Sequence, residues 1–158
     1  MNKLTAGFCV AIGALSADQA SKALALANAA TFEEGITVFP GFDLTLLRNE
    51  GVTFGFLPHV PWWALALLAL GVVFFLVVLM IKSRKTAEVV ALGAVIGGAL
   101  GNIVDRVRFG GVTDFLDFYL GTAHWPAFNL ADVFVVCGVG TLLWIDVLKK
   151  KQELAAFC

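Results

Sequence analysis

Apolar residues gather into four long runs along the chain, about residues 4–27, 61–81, 87–104 and 128–148, separated by polar segments at about 28–60 and 105–127 and by one short connection. A helix rises about 1.5 Å per residue, so a run of some 20 apolar residues covers roughly 30 Å of hydrocarbon, and each run is expected as a membrane span. The second carries no charge from Pro61 to Ile81 and opens on Trp62 and Trp63, side chains that favour the membrane–water interface. The other three are interrupted near one end by ionisable or amide groups. With Lys3 ahead of it and small residues at 14–17, the first run has the look of a secretory leader. It continues past Asp18 and Lys22, however, and further apolar segments follow, so it reads as a retained first span.

The polar segments have patterns of their own. Ile36, Val38, Phe42, Leu44 and Leu46 fall on even positions, a period of two broken at Pro40 and Gly41, which predicts a small sheet lying on the membrane face. In 105–127, Gly110 and Gly111 precede Phe115, Phe118 and Tyr119, and that cluster suggests a short interfacial helix. The expected fold class is an all-α membrane protein of four transmembrane helices, with a small extracytoplasmic β-sheet and a short interfacial helix, in one domain over 1–158.

Direction follows from the cations. Lys82, Arg84 and Lys85 fill the connection between the second and third runs, Lys149 to Lys151 close the fourth, and Lys3 precedes the first. All belong on the cytoplasmic side, which puts both termini there and the two long polar segments outside.

Composition agrees with a lipid solvent: of 158 residues 59% are apolar and 15% charged, against about 45–50% and about 25% in soluble proteins. The net charge of -1 gives no reason to expect a nucleic-acid partner. Cys9, Cys137 and Cys158 lack any Cys-x-x-Cys spacing and read as apolar packing residues rather than a disulfide or zinc set.

On this topology three helices place polar groups at one level: Asp18 near the outer end of the first, Asn102 and Asp105 at the end of the third, Asn129 and Asp132 at the start of the fourth. Ionisable groups in a bilayer cost at least roughly 2.5–3.5 kcal/mol each, so such a layer is a candidate site. Asp132 precedes Lys149 by about 25 Å of helix, which puts it near the outer boundary, within reach of water. Asp18 and Lys22, four apart with the acid first, suit either an ion pair ordering the first span or contact with a substrate. Asn102, Asp105 and Arg106 share a helix face, either as a network tying the outer loop to the helix end or as part of a site. For Asp114 and Asp132 the residues alone leave open a merely solvated face. Gly93, Gly97 and Gly101 make a small-residue stripe for close helix approach, to another span of the chain or to a substrate helix.

The reactive inventory is small. His59 and His124 are the only histidines and form no His-Glu-x-x-His, so no metal site is expected. Ser16, Ser21 and Ser83 stand outside any Gly-x-Ser-x-Gly, and Cys137 has no histidine at a readable spacing. What remains is a pair of carboxylates, which at contact distance share one proton and can serve as base and acid in turn. Neither metal, cofactor nor covalent intermediate is needed. A transporter is a poor alternative without an inverted repeat, and a noncatalytic membrane scaffold is a second.

Four motifs resemble the lipoprotein signal peptidases, or signal peptidase II, of bacterial inner membranes. Asp18, Gln19, Ala20, Ser21 and Lys22 match Asp-Gln-x-Ser-Lys, and Asn49, Glu50, Gly51, Val52, Thr53 and Phe54 match Asn-x-Gly-x-x-Phe, with Thr53 where alanine is usual. Gly97 to Arg106 match a Gly-rich Asn-x-x-Asp-Arg signature continued by Gly110, Val112, Asp114 and Phe115, and Trp125 to Asp132 match Trp-Pro-x-Phe-Asn-x-Ala-Asp. The resemblance implies an intramembrane aspartic endopeptidase with Asp114 and Asp132 as catalytic pair. Asn49, Gly51, Asn102, Arg106 and Asn129 would then line or brace the substrate site, and Asp18, Lys22 and Asp105 would be supports. It also implies a diacylglyceryl-modified prolipoprotein substrate cut before the lipidated cysteine, membrane lipids as the other partner, no cofactor, and work at the outer leaflet of the inner membrane; the chain is expected to be monomeric, although the sequence does not itself give the oligomeric state. Phe54 and Phe56 would let the outer sheet close over the site.

Overall fold

The computed structural model describes residues 2–51 and 60–156. Phe54, Phe56 and His59, and with the two phenylalanines the expected closure over the site, lie outside the described residues, as does Cys158. Four long helices carry the fold: α1 Lys3–Ala27, α3 Trp62–Lys82, α4 Thr86–Phe109 and α5 Leu130–Ala156. Between α1 and α3 come a short helix α2 (Ala29–Glu34) and strands β1 (Ile36–Phe39) and β2 (Phe42–Asn49), and between α4 and α5 come β3 (Val112–Leu120) and β4 (Ala123–His124).

Helices α3, α4 and α5 are long and apolar enough to cross a membrane. At 25 residues α1 has the length, about 37 Å, but it carries Asp18 and Lys22 in its second half. Helix α4 is the centre of the bundle, packed against α1, α3 and α5. It can be central because glycine lets neighbours come close. A Cβ at Gly93 would strike the backbone oxygen of Gly7, one at Gly97 that of Ala11, and one at Gly98 that of Ala131. The small-residue stripe is therefore filled by α1 of the same chain, and a neighbouring side of α4 receives α5 at Gly98. Around these approaches Ala11, Val73, Met80, Val89, Leu92 and Ile96 form the buried core.

The outward surface of the bundle is as apolar as its core, with Leu68, Phe74 and Leu143 all largely exposed. Lipid rather than water suits such a surface. Cys9 and Cys137 also stand on it, which corrects their expected role as packing residues.

At one end of the bundle lies a four-stranded antiparallel sheet in the order β1-β2-β3-β4. Gly41, at φ +100°, makes the turn between β1 and β2 where the alternating pattern breaks. The interfacial helix expected in 105–127 is absent: residues 112–120 are a strand, and the short helix of the fold is α2 in the other segment. The cause is local. Gly110, in the left-handed region at φ +74°, ends α4, and the backbone that follows lies beside β2, with Arg48 opposite Thr113 and Asn49 opposite Val112. Phe118, read as part of an interfacial cluster, instead packs across strands on Phe42, the rings tilted by 35° with centroids 4.7 Å apart. At the other end of the bundle the Lys3 ammonium donates to the Ser83 carbonyl at 2.9 Å, tying α1 to the α3–α4 connection.

Candidate active site

Where the sheet meets the helices, polar side chains from α1, α4, β3 and the residue before α5 converge in a layer almost closed to solvent: Asp18, Lys22, Asp105, Asp114 and Asn129 are each at most 3% exposed. Buried charges must be paired and hydrogen-bonded to persist, and here they are. The Lys22 ammonium lies 3.0 Å from Asp18 and 3.5 Å from Asp105. Gln19, a residue of the first motif without an assigned role, donates to Asp18 at 3.1 Å, to Asp105 at 3.1 Å and to the Gly101 carbonyl at 3.2 Å. Only its place one residue after the acid signalled this.

Each of the two carboxylates also holds a backbone N–H. Asp18 accepts from Ala131 at 2.9 Å and Asp105 from Thr113 at 2.9 Å. These two residues immediately precede Asp132 and Asp114. Ion pair and network are thus closed within the chain, and they hold the N–H groups of the residues before both aspartates.

Asp114, on β3, accepts from the Asn49 amide at 3.1 Å and from the Asn129 amide at 2.6 Å. Asp132, in the first turn of α5, accepts from the Asn102 amide at 2.9 Å and from the backbone N–H of Asn129 at 3.2 Å. Asn129 therefore touches both carboxyl groups, Asp132 through its backbone N–H and Asp114 through its side-chain amide. Burial pushes the Asp114 carboxyl up to about 6, and the nearby Asp132 charge adds to the rise, while the two amides oppose it. Arg106 donates to the Asn102 carbonyl at 3.3 Å and to the Gly51 carbonyl at 3.4 Å, and the Gly51 N–H donates back to the Asn49 side chain at 3.2 Å. The residues picked from sequence thus meet in one place.

Beside Asp132 opens a groove of about 470 Å³, walled by Trp125, Pro126, Phe128, Val133 and Val136, with Asp132 in its side. Its lining is apolar and suits hydrocarbon. No group of three or more His, Cys, Asp or Glu arranged to hold a metal occurs among the described residues. His124 is exposed on the edge strand β4 and sits 2.8 Å from Asp117.

Apolar helices around a buried polar layer, with a greasy groove at its edge, belong to the class of membrane enzymes. Two solved structures with the same architecture are both described as a bacterial membrane enzyme. One, solved by the in meso method at 2.3 Å resolution, has a TM-score of 0.79 and 28% identity, over 93% of this chain and 90% of the other. The second, at 1.9 Å resolution, has a TM-score of 0.71 and 28% identity, over 90% and 92%. Residues 10–149 match the family model for signal peptidase (SPase) II, and the chain belongs to that family. Proteins called lipoprotein signal peptidase are similar along most of their length. That of Syntrophus aciditrophicus is 42% identical over 76% of this chain and 78% of its own. That of Anaplasma phagocytophilum is 36% identical over 96% and 98%, and that of Shewanella amazonensis 43% identical over 92% and 89%. The chain is a protease.

Proposed function

We propose that this chain removes the signal peptide from diacylglyceryl-modified prolipoproteins, cleaving before the lipidated cysteine, with Asp114 and Asp132 as the catalytic pair. The observation that carries the reading is Asn129 bonded to both carboxyl groups beside an apolar groove. Asp132 borders that groove and is the base that takes a proton from water. The water oxygen attacks the scissile carbonyl carbon. Asp114, buried and inclined to keep a proton, hydrogen-bonds the carbonyl oxygen as it gains charge. When the C–N bond breaks, a proton passes from the pair to the leaving amine, so the cycle closes without metal or covalent intermediate.

Helix α1 is the fourth span on this reading: its costly groups, Asp18 and Lys22, are turned inward and paired. Lys82, Arg84, Lys85 and Lys149 to Lys151 lie at the bundle end remote from the sheet. By the bias of cations that end faces the cytoplasm, with both termini, and the pair works at the outer leaflet of the inner membrane. Asn49, Gly51, Asn102, Arg106 and Asn129 brace or line the site, and Asp18, Lys22 and Asp105 support it. One chain supplies every one of these groups, which supports a monomer as the working unit, with membrane lipid around it.

The test is cleavage of a diacylglyceryl-modified precursor by purified protein in detergent or lipid. Cleavage is expected from the wild type and from neither Asp114→Asn nor Asp132→Asn. Equal cutting of an unlipidated precursor would sink the substrate assignment, and activity in either variant would sink the catalytic one.

A further inference from the structure

We propose that Lys22 is a positioning residue for the aspartate pair: its buried ammonium fixes which way the Asn102 side-chain amide points, and so holds the Asn102 NH2 against Asp132. On the reading of Asp114 and Asp132 as the catalytic pair, this gives Lys22 a part in the reaction beyond holding the helices together.

An asparagine amide is nearly symmetric in shape, and its oxygen and nitrogen ends exchange by a half-turn, so surrounding partners must choose between them. Asn102 Oδ1 receives the Lys22 ammonium at 2.9 Å and the Asn129 amide at 3.2 Å, while its Nδ2 donates to Asp132 at 2.9 Å. A half-turn would set NH2 against an ammonium and oxygen against a carboxylate. Of the two donors to Oδ1 the charged one is the stronger, since charge-assisted hydrogen bonds are about twice as strong as neutral ones, and Asn129 shares its NH2 with Asp114 at 2.6 Å. Asn129 itself is oriented by the backbone, because the Asp132 N–H donates to its Oδ1 at 3.2 Å. Of the two amides between the carboxyl groups, one is thus set by the main chain and the other by Lys22.

The same ammonium pairs with Asp18 and Asp105, whose carboxylates hold the N–H groups of Ala131 and Thr113 next to the two aspartates. With 2% of its surface exposed, Lys22 acts through these neighbours.

The experiment measures kcat, KM and their pH dependence on a diacylglyceryl-modified precursor peptide, with melting in the same detergent, for wild type, Asn102→Asp and Lys22→Met. Asn102→Asp keeps an acceptor for Lys22 yet offers Asp132 no NH2. It is expected to melt within a few degrees of wild type, to lose at least about tenfold in kcat with KM within about threefold, and to move the acid limb of kcat to higher pH by about one unit. Lys22→Met is expected to show the same split where it folds, and where it does not, Asn102→Asp decides alone. Wild-type kcat and an unmoved limb in Asn102→Asp, or in a Lys22→Met that still melts cooperatively, overturn the proposal. A loss carried by KM alone overturns it too. Full activity of Asp132→Asn in the same assay removes the catalytic reading beneath it, a separate failure.

Discussion

The carboxylate of Asp18 in α1 accepts the backbone N–H of Ala131 at 2.9 Å, although 113 positions separate them in the chain. The N–H groups in the first turn of a helix lack intrahelical partners, so Asp18 supplies from another helix what a capping residue normally supplies from its own. It thereby fixes the start of α5, where Asp132 stands.

Asp18→Ala removes that acceptor and one of the two carboxylates that balance the Lys22 ammonium. Breaking one side of a buried ion pair costs about 3–5 kcal/mol. Melting in detergent is expected to fall by roughly 10 °C, with precursor cleavage falling as well. A variant that melts with the wild type would show that the N–H and the ammonium find other partners.

Helix approach makes a sharper test. Gly93→Ala and Gly97→Ala each force α1 away from α4, since the added methyl meets backbone rather than a side chain able to turn aside. Overpacking of this kind costs about 1–3 kcal/mol. At Gly140 a methyl meets nothing within 4 Å, and Gly140→Ala is expected to leave melting unchanged or raise it slightly, because alanine favours helix. Equal effects at the three positions would contradict the packing described.

Asn129→Ala deletes the amide hydrogen bond to Asp114 and the acceptor for the Asp132 N–H. Hydrogen bonds to charged groups are worth roughly 1.5–3 kcal/mol, so kcat is expected to fall at least about tenfold. Single-turnover cleavage with saturating enzyme measures this apart from binding. An unchanged rate would mean that Asn129 neighbours the pair without serving it.

Stability should depend on pH through Asp114. Between its ordinary 3.8 and about 6 the folded chain holds a proton that the unfolded chain releases. The folded state therefore binds more protons there, and stability falls as pH rises from 4 to 6, by roughly 3 kcal/mol. Melting of wild type and Asp114→Asn across pH 4–8 reads this directly. The wild type is expected to lose stability over that window and the variant to lose less. Parallel curves would mean that burial does not hold the Asp114 proton.

The long helices were legible because length and apolar character are local: a charge-free run such as 61–81 has few other ways to satisfy its backbone in lipid. Strands β1 and β2 were legible from a period of two. Strand β3 was not, because its partner β2 lies more than sixty residues earlier, and cross-strand pairing overrides what an aromatic cluster suggests by itself. Local spacing also left undecided whether the glycine stripe of α4 was for a substrate or for the chain's own α1.

The sequence by itself narrowed the reactive inventory to carboxylates, and its resemblance to a known family singled out Asp114 and Asp132 as the candidates. Only the tertiary structure decided their surroundings: that Asn129 touches both, that Lys22 donates to Asn102, and that Asp18 and Asp105 hold the N–H groups of the residues before them. Hydrogen bonds of this kind act over about 3 Å between atoms far apart along the chain. No local pattern encodes such distances, and packing the helices through their glycines creates them.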